Sequence, residues 1–273
     1  MIPGEGVERA PWSDRQSSQR APAERELPRT RTGETPPSTP AGTIELIPVS
    51  GIGEVMPGVD VAALVLDALD RNGLTLLDRD IVVVTHKIVS KAEGRLVPVQ
   101  DEAGYRRLVE DEAAAIVRRR GDLVIAQTRH GFICANAGVD RSNVAGDAAV
   151  LLPERPDRSA HLLRTRLELA TGLRLAVVVT DTFGRPWRRG LADVAIGVSG
   201  MPALIDLRGT TDMYGRPLEV TEIAVVDEIA AAADLAMGKA SGVPVAVVRG
   251  LTWPEGEGRA TDLVRPAAED LFR

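Results

Sequence analysis

Two runs of β-branched and apolar residues constrain the fold of this chain most strongly. The first run is Ile81–Val84, inside the segment Asp80–Thr85, and the second is Leu175–Val179. Successive side chains of a β-strand point to opposite faces of the sheet, so a continuous apolar run indicates a strand buried on both faces. The sequence therefore predicts two such strands, each followed by a loop of polar residues.

The segments around these strands predict helices and hairpins. The other predicted elements are a strand at 44–49, a helix built on Val61, Leu64, Val65, Ala68 and Leu69, a charged amphipathic helix at 102–119, paired strands at 123–126 and 132–135, a helix at about 158–171, strands near 193–198 and 203–207, a turn at 211–217, a helix at 227–240 and a strand at 243–248. This mixture predicts an α+β fold of mixed sheets with flanking helices.

The first 42 residues differ from the rest of the chain. They hold seven of its 18 prolines and almost no large apolar side chain. Such a segment buries too little surface to offset the entropy lost on ordering. We therefore expect a disordered tail, rich in proline and arginine, at 1–42.

Composition and charge exclude several classes of protein. The net charge of -6 and the absence of a basic block with stacking aromatic residues argue against a nucleic-acid partner. No apolar run approaches the roughly 20 residues needed to span a bilayer, and the N-terminus lacks the apolar segment of a secretory signal. The single cysteine, Cys134, cannot form an intramolecular disulfide. We expect a cytoplasmic protein that does not enter a membrane.

Lysine is rare in this chain. Among 33 basic residues only Lys87, Lys91 and Lys239 are lysine, and Lys87 and Lys91 lie four residues apart after the first buried strand. An ammonium group is a compact point charge and differs chemically from a planar guanidinium. The pair indicates a specific task, although chance clustering in a surface loop remains the alternative.

The common phosphate-binding motifs are absent. Gly238-Lys239 has Ala233 where a P-loop needs glycine and Ala240 where it needs serine or threonine. The glycines of Gly51–Gly53 follow a strand, but Met56 occupies the third glycine position of the dinucleotide motif. The sequence therefore predicts neither a P-loop nor a Rossmann site.

Two polar loops after strands contain hard oxygen donors. They are Gly138–Asn143 and Thr180–Thr182, whose carboxylate and hydroxyl oxygens suit Mg²⁺ or Mn²⁺. Arg185, Arg188 and Arg189 follow the second loop and could neutralise phosphoryl charge. The alternatives are that the acidic residues only close turns and that the arginines are solvated.

In their order along the chain, these loops resemble the CofE family, the coenzyme F-420-0:γ-glutamyl ligases, and the ligase half of the actinobacterial FbiB proteins. The resemblance covers about residues 43–251. The segments that carry it are Ile44–Val49, Gly51-Ile52, Val82–Arg95, Asn136–Asp140, Ser142-Asn143, Thr180–Thr182, Gly184-Arg185, Tyr214–Arg216 and Asp227–Ala231. It implies a ligase domain at 43–251, of one or two subdomains, and a C-terminal extension at 252–273.

The resemblance also implies an activity. That activity is the GTP-dependent addition of L-glutamate to the terminal lactyl-phosphate carboxylate of the deazaflavin coenzyme precursor, with further γ-linked glutamates in some members. GTP is the cosubstrate, Mg²⁺ or Mn²⁺ the metal and K⁺ a further cation, and the family forms a homodimer. The longer actinobacterial relatives carry a second, flavin-binding domain, and we expect no flavin reduction by this chain.

Individual residues take their roles from the same resemblance. The nucleotide contacts are Ile52, Gly53, Glu54, Val55, Lys91 and Asn143, the metal ligands are Asp140, Asp181 and Thr182, and the catalytic residues are Asp140, Asp181 and Lys91. His86 occupies a nucleotide-contacting position that is serine or threonine in the family.

An amide is made from a carboxylate only after the carboxylate is activated, most simply as an acyl phosphate. The polar loops are consistent with this activity, because metal ions and cations held there would stabilise the charge of the transferred phosphoryl group. Two alternatives stay open. One is a ligase of the same fold that acts on another acceptor, and the other is a GTP-binding regulatory protein without turnover.

Overall fold

The computed structural model describes residues 42–142 and 146–270. The predicted tail, apart from its last residue, and Asn143 lie outside these ranges. The strands are β1 (Glu45–Val49), β2 (Ile81–Thr85), β3 (Leu96–Pro98), β4 (Ala113–Arg120), β5 (Leu123–Thr128), β6 (Ile133–Ala135), β7 (Ala148–Val150), β8 (Ala176–Arg185), β9 (Arg188–Ser199), β10 (Ile205–Asp206), β11 (Glu222–Ile223) and β12 (Val245–Arg249). The α-helices are α1 (Val61–Arg71), α2 (His86–Ala92), α3 (Glu102–Glu112), α4 (Pro156–Thr171) and α5 (Val225–Met237).

A five-stranded mixed sheet forms the centre of the fold. Its strand order is β1-β12-β2-β8-β9. The two continuous apolar runs form β2 and β8, which are parallel neighbours, and every other pair in the sheet is antiparallel. The α+β prediction with mixed sheets is therefore confirmed.

Helices cover both faces of this sheet. Val82 and Val84 of β2 belong to one core cluster, which they share with residues of α1 and α4. Ile81 and Val83 belong to a second cluster, which they share with residues of α5. The alternation places an apolar residue against a helix at every step of the strand, which explains why the run is continuous.

A smaller lobe stands beside the central sheet. It contains the three-stranded antiparallel sheet β4-β5-β6, the short pair β3-β7 and helix α3. Its own core consists of Val99, Val109, Val124, Ala126, Ala137, Val139, Ala149 and Leu151. The predicted pairing of 123–126 with 132–135 is confirmed by β5 and β6.

The predicted helix at 102–119 is only partly correct. Helix α3 ends at Glu112, and Ala113 begins β4 with extended backbone angles. β4 pairs with β5 across a turn that contains Gly121 at a φ of 59°. The hairpin satisfies the backbone of 113–120, so this tertiary pairing overrides the helical propensity of the alanines and arginines.

Two predicted loops after buried strands are also wrong. The segment after β2 is the helix α2, because Ile88 and Val89 turn inward and join the core. The second buried strand does not end at Thr180. β8 continues to Arg185, because its backbone stays paired with β9 along that length.

Residues 252–270 pack against the central sheet. Trp253 is buried in the cluster around α5, and Ala260 is buried in the cluster on the other face. The guanidinium of Arg79 lies 4.6 Å from the centre of the Trp253 ring. Across the part of the chain that is described, no helix is both long enough and apolar enough to cross a bilayer.

Candidate active site

One edge of the central sheet collects the polar residues that follow its strands. Val49 at the end of β1 pairs with Val245, Val245 pairs with Val84, and Thr85 at the end of β2 pairs with Thr180. One edge of the sheet therefore holds the carboxyl ends of β1 and β2 and the beginning of β12. Strand β8 reaches this edge at Thr180 and extends beyond it to Arg185. Such edges are common positions for ligand sites.

His86 links helix α2 to strand β8. Its side chain is 1% exposed, and its Nε2 lies 3.3 Å from Oδ1 of Asp181. This contact lacks the angles of a hydrogen bond, so Nε2 is a buried polar atom without a hydrogen-bond partner among the described residues. The other ring nitrogen, Nδ1, lies 3.3 Å from Oγ of Ser90, one helical turn further along.

Lys87 forms an ion pair with Asp140, the second predicted metal-ligand carboxylate. Its Nζ lies 2.8 Å from Oδ2 of Asp140 and donates to the hydroxyl of Ser142 at 2.6 Å. Burial alone raises the pKa of Asp140. The hydrogen bonds from Lys87 and from the Ser142 backbone outweigh burial and hold that pKa below its usual value. Asp140 is therefore ionised at neutral pH.

Asp140 and Asp181 thus contact consecutive residues in the first turn of α2. They come from different parts of the fold, since Asp140 forms a backbone bridge with Val150 of β7 and Asp181 belongs to β8. The two predicted polar segments therefore lie around one element, and their carboxylates face its first turn from two sides.

Lys91 lies one turn after Lys87 on α2. Its side chain is 7% exposed, and its Nζ lies 2.6 Å from Oε1 of Glu54, which is 58% exposed. The predicted nucleotide loop Ile52–Val55 therefore does reach α2. Ile52 and Val55 are buried in the core, so a ligand would meet the backbone of these two residues and not their side chains.

Thr182 points away from Asp181, because successive side chains of a strand alternate. Its hydroxyl donates to Oδ1 of Asp193 at 2.5 Å, and Thr180 donates to Oδ2 of the same carboxylate at 3.0 Å. Lys239 donates to the Thr182 hydroxyl. The two predicted metal ligands that belong to β8, Asp181 and Thr182, therefore lie on opposite faces of the strand.

Asp193 and Lys239 belong to this site but were not predicted from the sequence. Asp193 is 3% exposed and lies directly opposite Thr182 in the β8–β9 ladder. A buried acidic residue inside an apolar strand pattern was the available signal. For Lys239 the signal was the rarity of lysine in this sequence. In the structure, all three lysines contact an oxygen atom at this sheet edge.

The donor set suits a metal ion that is also bound by phosphate. Within residues 42–142 and 146–270, no three His, Cys, Asp or Glu side chains are grouped so that they could hold a metal ion. Mg²⁺ in nucleotide sites takes only one or two protein carboxylates and completes its shell with phosphate oxygens and water. Asp140 and Asp181, which contact neighbouring residues of α2, would supply the two carboxylates of such a site.

The fold and this charged sheet edge define an α+β protein with a polar candidate site at strand ends. Comparison with known proteins identifies the family. The family model described as F420-0:Gamma-glutamyl ligase matches residues 51–250. The chain belongs to this family.

Several relatives are similar to this chain over most of their length. The coenzyme F420:L-glutamate ligase of Methanothermobacter thermautotrophicus is 42% identical over 249 residues, which are 84% of this chain and 99% of the relative. The ligase of the same name from Methanopyrus kandleri is 40% identical over 252 residues, 85% of this chain and 98% of the relative. That of Methanocaldococcus jannaschii is 40% identical over 213 residues, 72% of this chain and 85% of the relative.

Proposed function

We propose that this protein is a GTP-dependent ligase that joins L-glutamate to the terminal carboxylate of coenzyme F420-0 and then adds γ-linked glutamates. The relatives named coenzyme F420:L-glutamate ligase support the acceptor and the amino acid. The observation that carries the proposal is the first turn of α2, where His86 and Lys87 contact Asp181 and Asp140. This turn gathers opposite charges at the sheet edge, as phosphoryl transfer requires.

The proposed reaction has two steps. An oxygen of the acceptor carboxylate attacks the γ-phosphorus of GTP, the bond to the β-phosphate oxygen breaks, and GDP leaves. The amine of glutamate then attacks the carbonyl carbon of the acyl phosphate, inorganic phosphate leaves, and the nitrogen loses a proton. One GTP is consumed for each amide bond formed.

The lysines of α2 supply positive charge for the phosphates. Lys91 contacts Glu54, whose carboxylate is more than half exposed and can turn into solvent when phosphate replaces it. The loop Ile52–Val55 reaches Lys91 through Glu54, and its backbone is the proposed nucleotide contact. Asn143, outside the described residues, keeps its predicted nucleotide contact as part of the proposal.

Asp140 and Asp181 are the proposed carboxylates for Mg²⁺ or Mn²⁺; the Thr182 hydroxyl, predicted as a third ligand, points to the other face of β8, where it contacts Asp193 and Lys239. When bound, the metal ion would neutralise charge on the transferring phosphoryl group. Lys87 keeps Asp140 ionised, and the Thr182 N–H donates to Oδ1 of Asp181 at 2.7 Å. Both contacts prepare the carboxylates before a ligand arrives.

Mass spectrometry of the acceptor tests the proposal. The purified protein is incubated with coenzyme F420-0, GTP, L-glutamate and Mn²⁺ or Mg²⁺, and each component is omitted in turn. Glutamyl mass increments are expected only in the complete mixture, with GDP and phosphate as products. GMP and pyrophosphate would instead show activation by guanylyl transfer, and an unmodified acceptor would reject the ligase. We also propose the homodimer that the family resemblance implies, and sedimentation of the same sample tests it.

A further inference from the structure

The β8–β9 hairpin extends beyond the charged sheet edge. We call residues 184–191 the hairpin arm; every residue of it is exposed. Its strands stay paired up to Arg185 and Arg188, so the arm is an ordered projection of the central sheet. It begins three residues after Asp181.

The arm is strongly basic. It contains Arg185, Arg188 and Arg189 and no acidic residue, within a chain whose net charge is -6. Across residues 42–142 and 146–270, none of these three guanidinium groups takes part in an ion pair with a carboxylate, whereas many other arginines of the chain do. The arm therefore offers unneutralised positive charge next to the site.

The tip of the arm has an unusual residue in an unusual conformation. Trp187 follows Pro186, is 88% exposed and has a φ of 61°. A proline followed by a positive φ is the pattern of a tight turn whose second central residue is normally glycine. A bulky residue held there is strained, and such strain is characteristic of ligand-binding positions.

Strand geometry connects the arm to the active site. Asp181 and Phe183 lie on the same face of β8, because alternate residues share a face, and Arg185 is the next residue in this alternation, at the point where the β8–β9 register shifts. Phe183 packs edge to face with Phe132, with 6.4 Å between ring centres. At about 3.3 Å per residue, the Cα atom of Arg185 is roughly 13 Å from that of Asp181. The face forms a track that runs from a carboxylate past an aromatic ring to an arginine.

We propose that the hairpin arm binds the acceptor substrate, an aromatic phosphate ester whose free carboxylate reaches the Asp181 end of this track. The inference rests on the proposed function and assigns the acceptor-binding residues that the family resemblance left open. Arg185 and Arg188 bind the phosphate, since guanidinium groups bind phosphate oxygens in a bidentate manner. Trp187 stacks on the flat ring of the acceptor.

Direct binding of coenzyme F420-0, without GTP or glutamate, tests the arm independently of catalysis. Titration is followed by quenching of tryptophan fluorescence and by equilibrium dialysis. Arg185→Ala and Arg188→Ala are each expected to raise the Kd for the acceptor about tenfold, the effect of losing one charge-assisted hydrogen bond. The KM for GTP is expected to stay unchanged.

Trp187→Gly separates binding from folding. Glycine accepts the positive φ without strain, so the Tm of this variant is expected to equal or exceed that of the wild type. The Kd for the acceptor rises. When Trp12 is replaced by phenylalanine in both proteins, most of the fluorescence quenching disappears, because the remaining Trp253 is buried in the cluster around α5, on the other face of the central sheet from Phe183. Loss of folding in this variant would contradict the assignment of the turn.

A matched control comes from the other exposed hairpin. Arg120 ends β4, is exposed and has no ion pair within the described residues. Arg120→Ala is expected to bind the acceptor as the wild type does. An equal loss of affinity in this control would show that the arm contributes only general positive charge, and it would reject the proposal.

Three other results would overturn the assignment. They are an unchanged acceptor Kd in all arm variants, a loss of GTP affinity with acceptor binding intact, and dissociation of an oligomer with acceptor binding intact. If the wild type binds coenzyme F420-0 but ligates nothing, the proposed function fails. Arm variants that then still lose binding would uphold the acceptor site on its own.

Discussion

His86 holds its Nε2 atom 3.3 Å from Oδ1 of Asp181, although the two residues belong to different elements. The same oxygen accepts a hydrogen bond from the Thr182 N–H at 2.7 Å. No described residue contacts Oδ2 of Asp181 at hydrogen-bond distance. The carboxylate is thus fixed by one oxygen and presents the other, as the proposed metal site requires.

Asp181→Asn is expected to abolish ligation while leaving the fold intact. The amide keeps an oxygen for the Thr182 N–H but carries no charge to hold a cation on phosphate. We expect turnover to fall by about two to three orders of magnitude, as for the loss of one essential electrostatic group. Initial rates of glutamyl addition and thermal unfolding curves measure the two effects separately.

Asp122→Asn is the control for this substitution. Asp122 is 79% exposed, and among the described residues its ion pair is with Arg106 on the surface. Its replacement should change neither turnover nor Tm measurably. If Asp181→Asn keeps full activity and Asp122→Asn also behaves as the wild type, Asp181 is not part of the proposed metal site.

Lys87→Gln is expected to weaken the fold at neutral pH and less so in acid. Asp140 has a folded-state pKa below its usual 3.8, so its ionised form stabilises the protein above that pH, and the contribution is lost as the pH falls through the folded-state value. Without Lys87, the pKa of Asp140 rises and part of the stabilisation is lost, while the hydrogen bonds from Ser142 remain. Because Asp140 is 37% exposed, we expect a difference below about 1 kcal/mol at pH 7.

Urea unfolding of both proteins at pH 7, 5 and 3.5 checks this prediction. The difference in the free energy of unfolding should shrink towards the lowest pH. Arg106→Gln, which breaks a fully surface pair, should show a smaller difference at every pH. A Lys87→Gln difference that grows in acid would contradict the expected direction of the pH dependence.

Asp193→Ala is expected to destabilise the protein by about 2–3 kcal/mol. The buried carboxylate accepts hydrogen bonds from Thr180 and Thr182, and Thr180 is fully buried. Its removal leaves the Thr180 hydroxyl without an acceptor and away from water, which carries the full desolvation cost of that group. Equilibrium unfolding in urea measures the change.

A double-mutant cycle identifies the cause of this loss. Adding Thr180→Val to Asp193→Ala removes the unsatisfied hydroxyl, so part of the lost stability, about 1 kcal/mol, should return. Asp206→Ala, which breaks the exposed pair with Arg208, should cost less than about 1 kcal/mol. Strictly additive effects of the first two substitutions would show that the hydroxyl is satisfied in another way.

The sequence predicted the features that depend on local pattern. The continuous apolar runs marked β2 and β8, but the pairing that brings the polar residues after them to one edge of the sheet was not predicted. The sequence did not predict α2, because seven residues with mixed polarity show no clear period, and their helical state depends on burial of Ile88 and Val89. It also did not predict that Asp181 and Thr182 separate, because that follows from the continued pairing of β8 with β9.

Cys134 is expected to be inert towards thiol reagents in the folded protein. Burial, together with the negative charge of Asp181, raises the pKa of its thiol to about 12, and only the thiolate reacts. At pH 8 the folded protein should show no reaction with a disulfide reagent on a scale of minutes, while one thiol per chain should react in urea. Since Asp181 is only the second cause, Asp181→Asn should lower the pKa but leave the buried thiol slow to react. Rapid stoichiometric labelling of the folded wild type would show that β6 opens readily beside β8, and the orientation of Asp181 would then not be fixed as the structure has it.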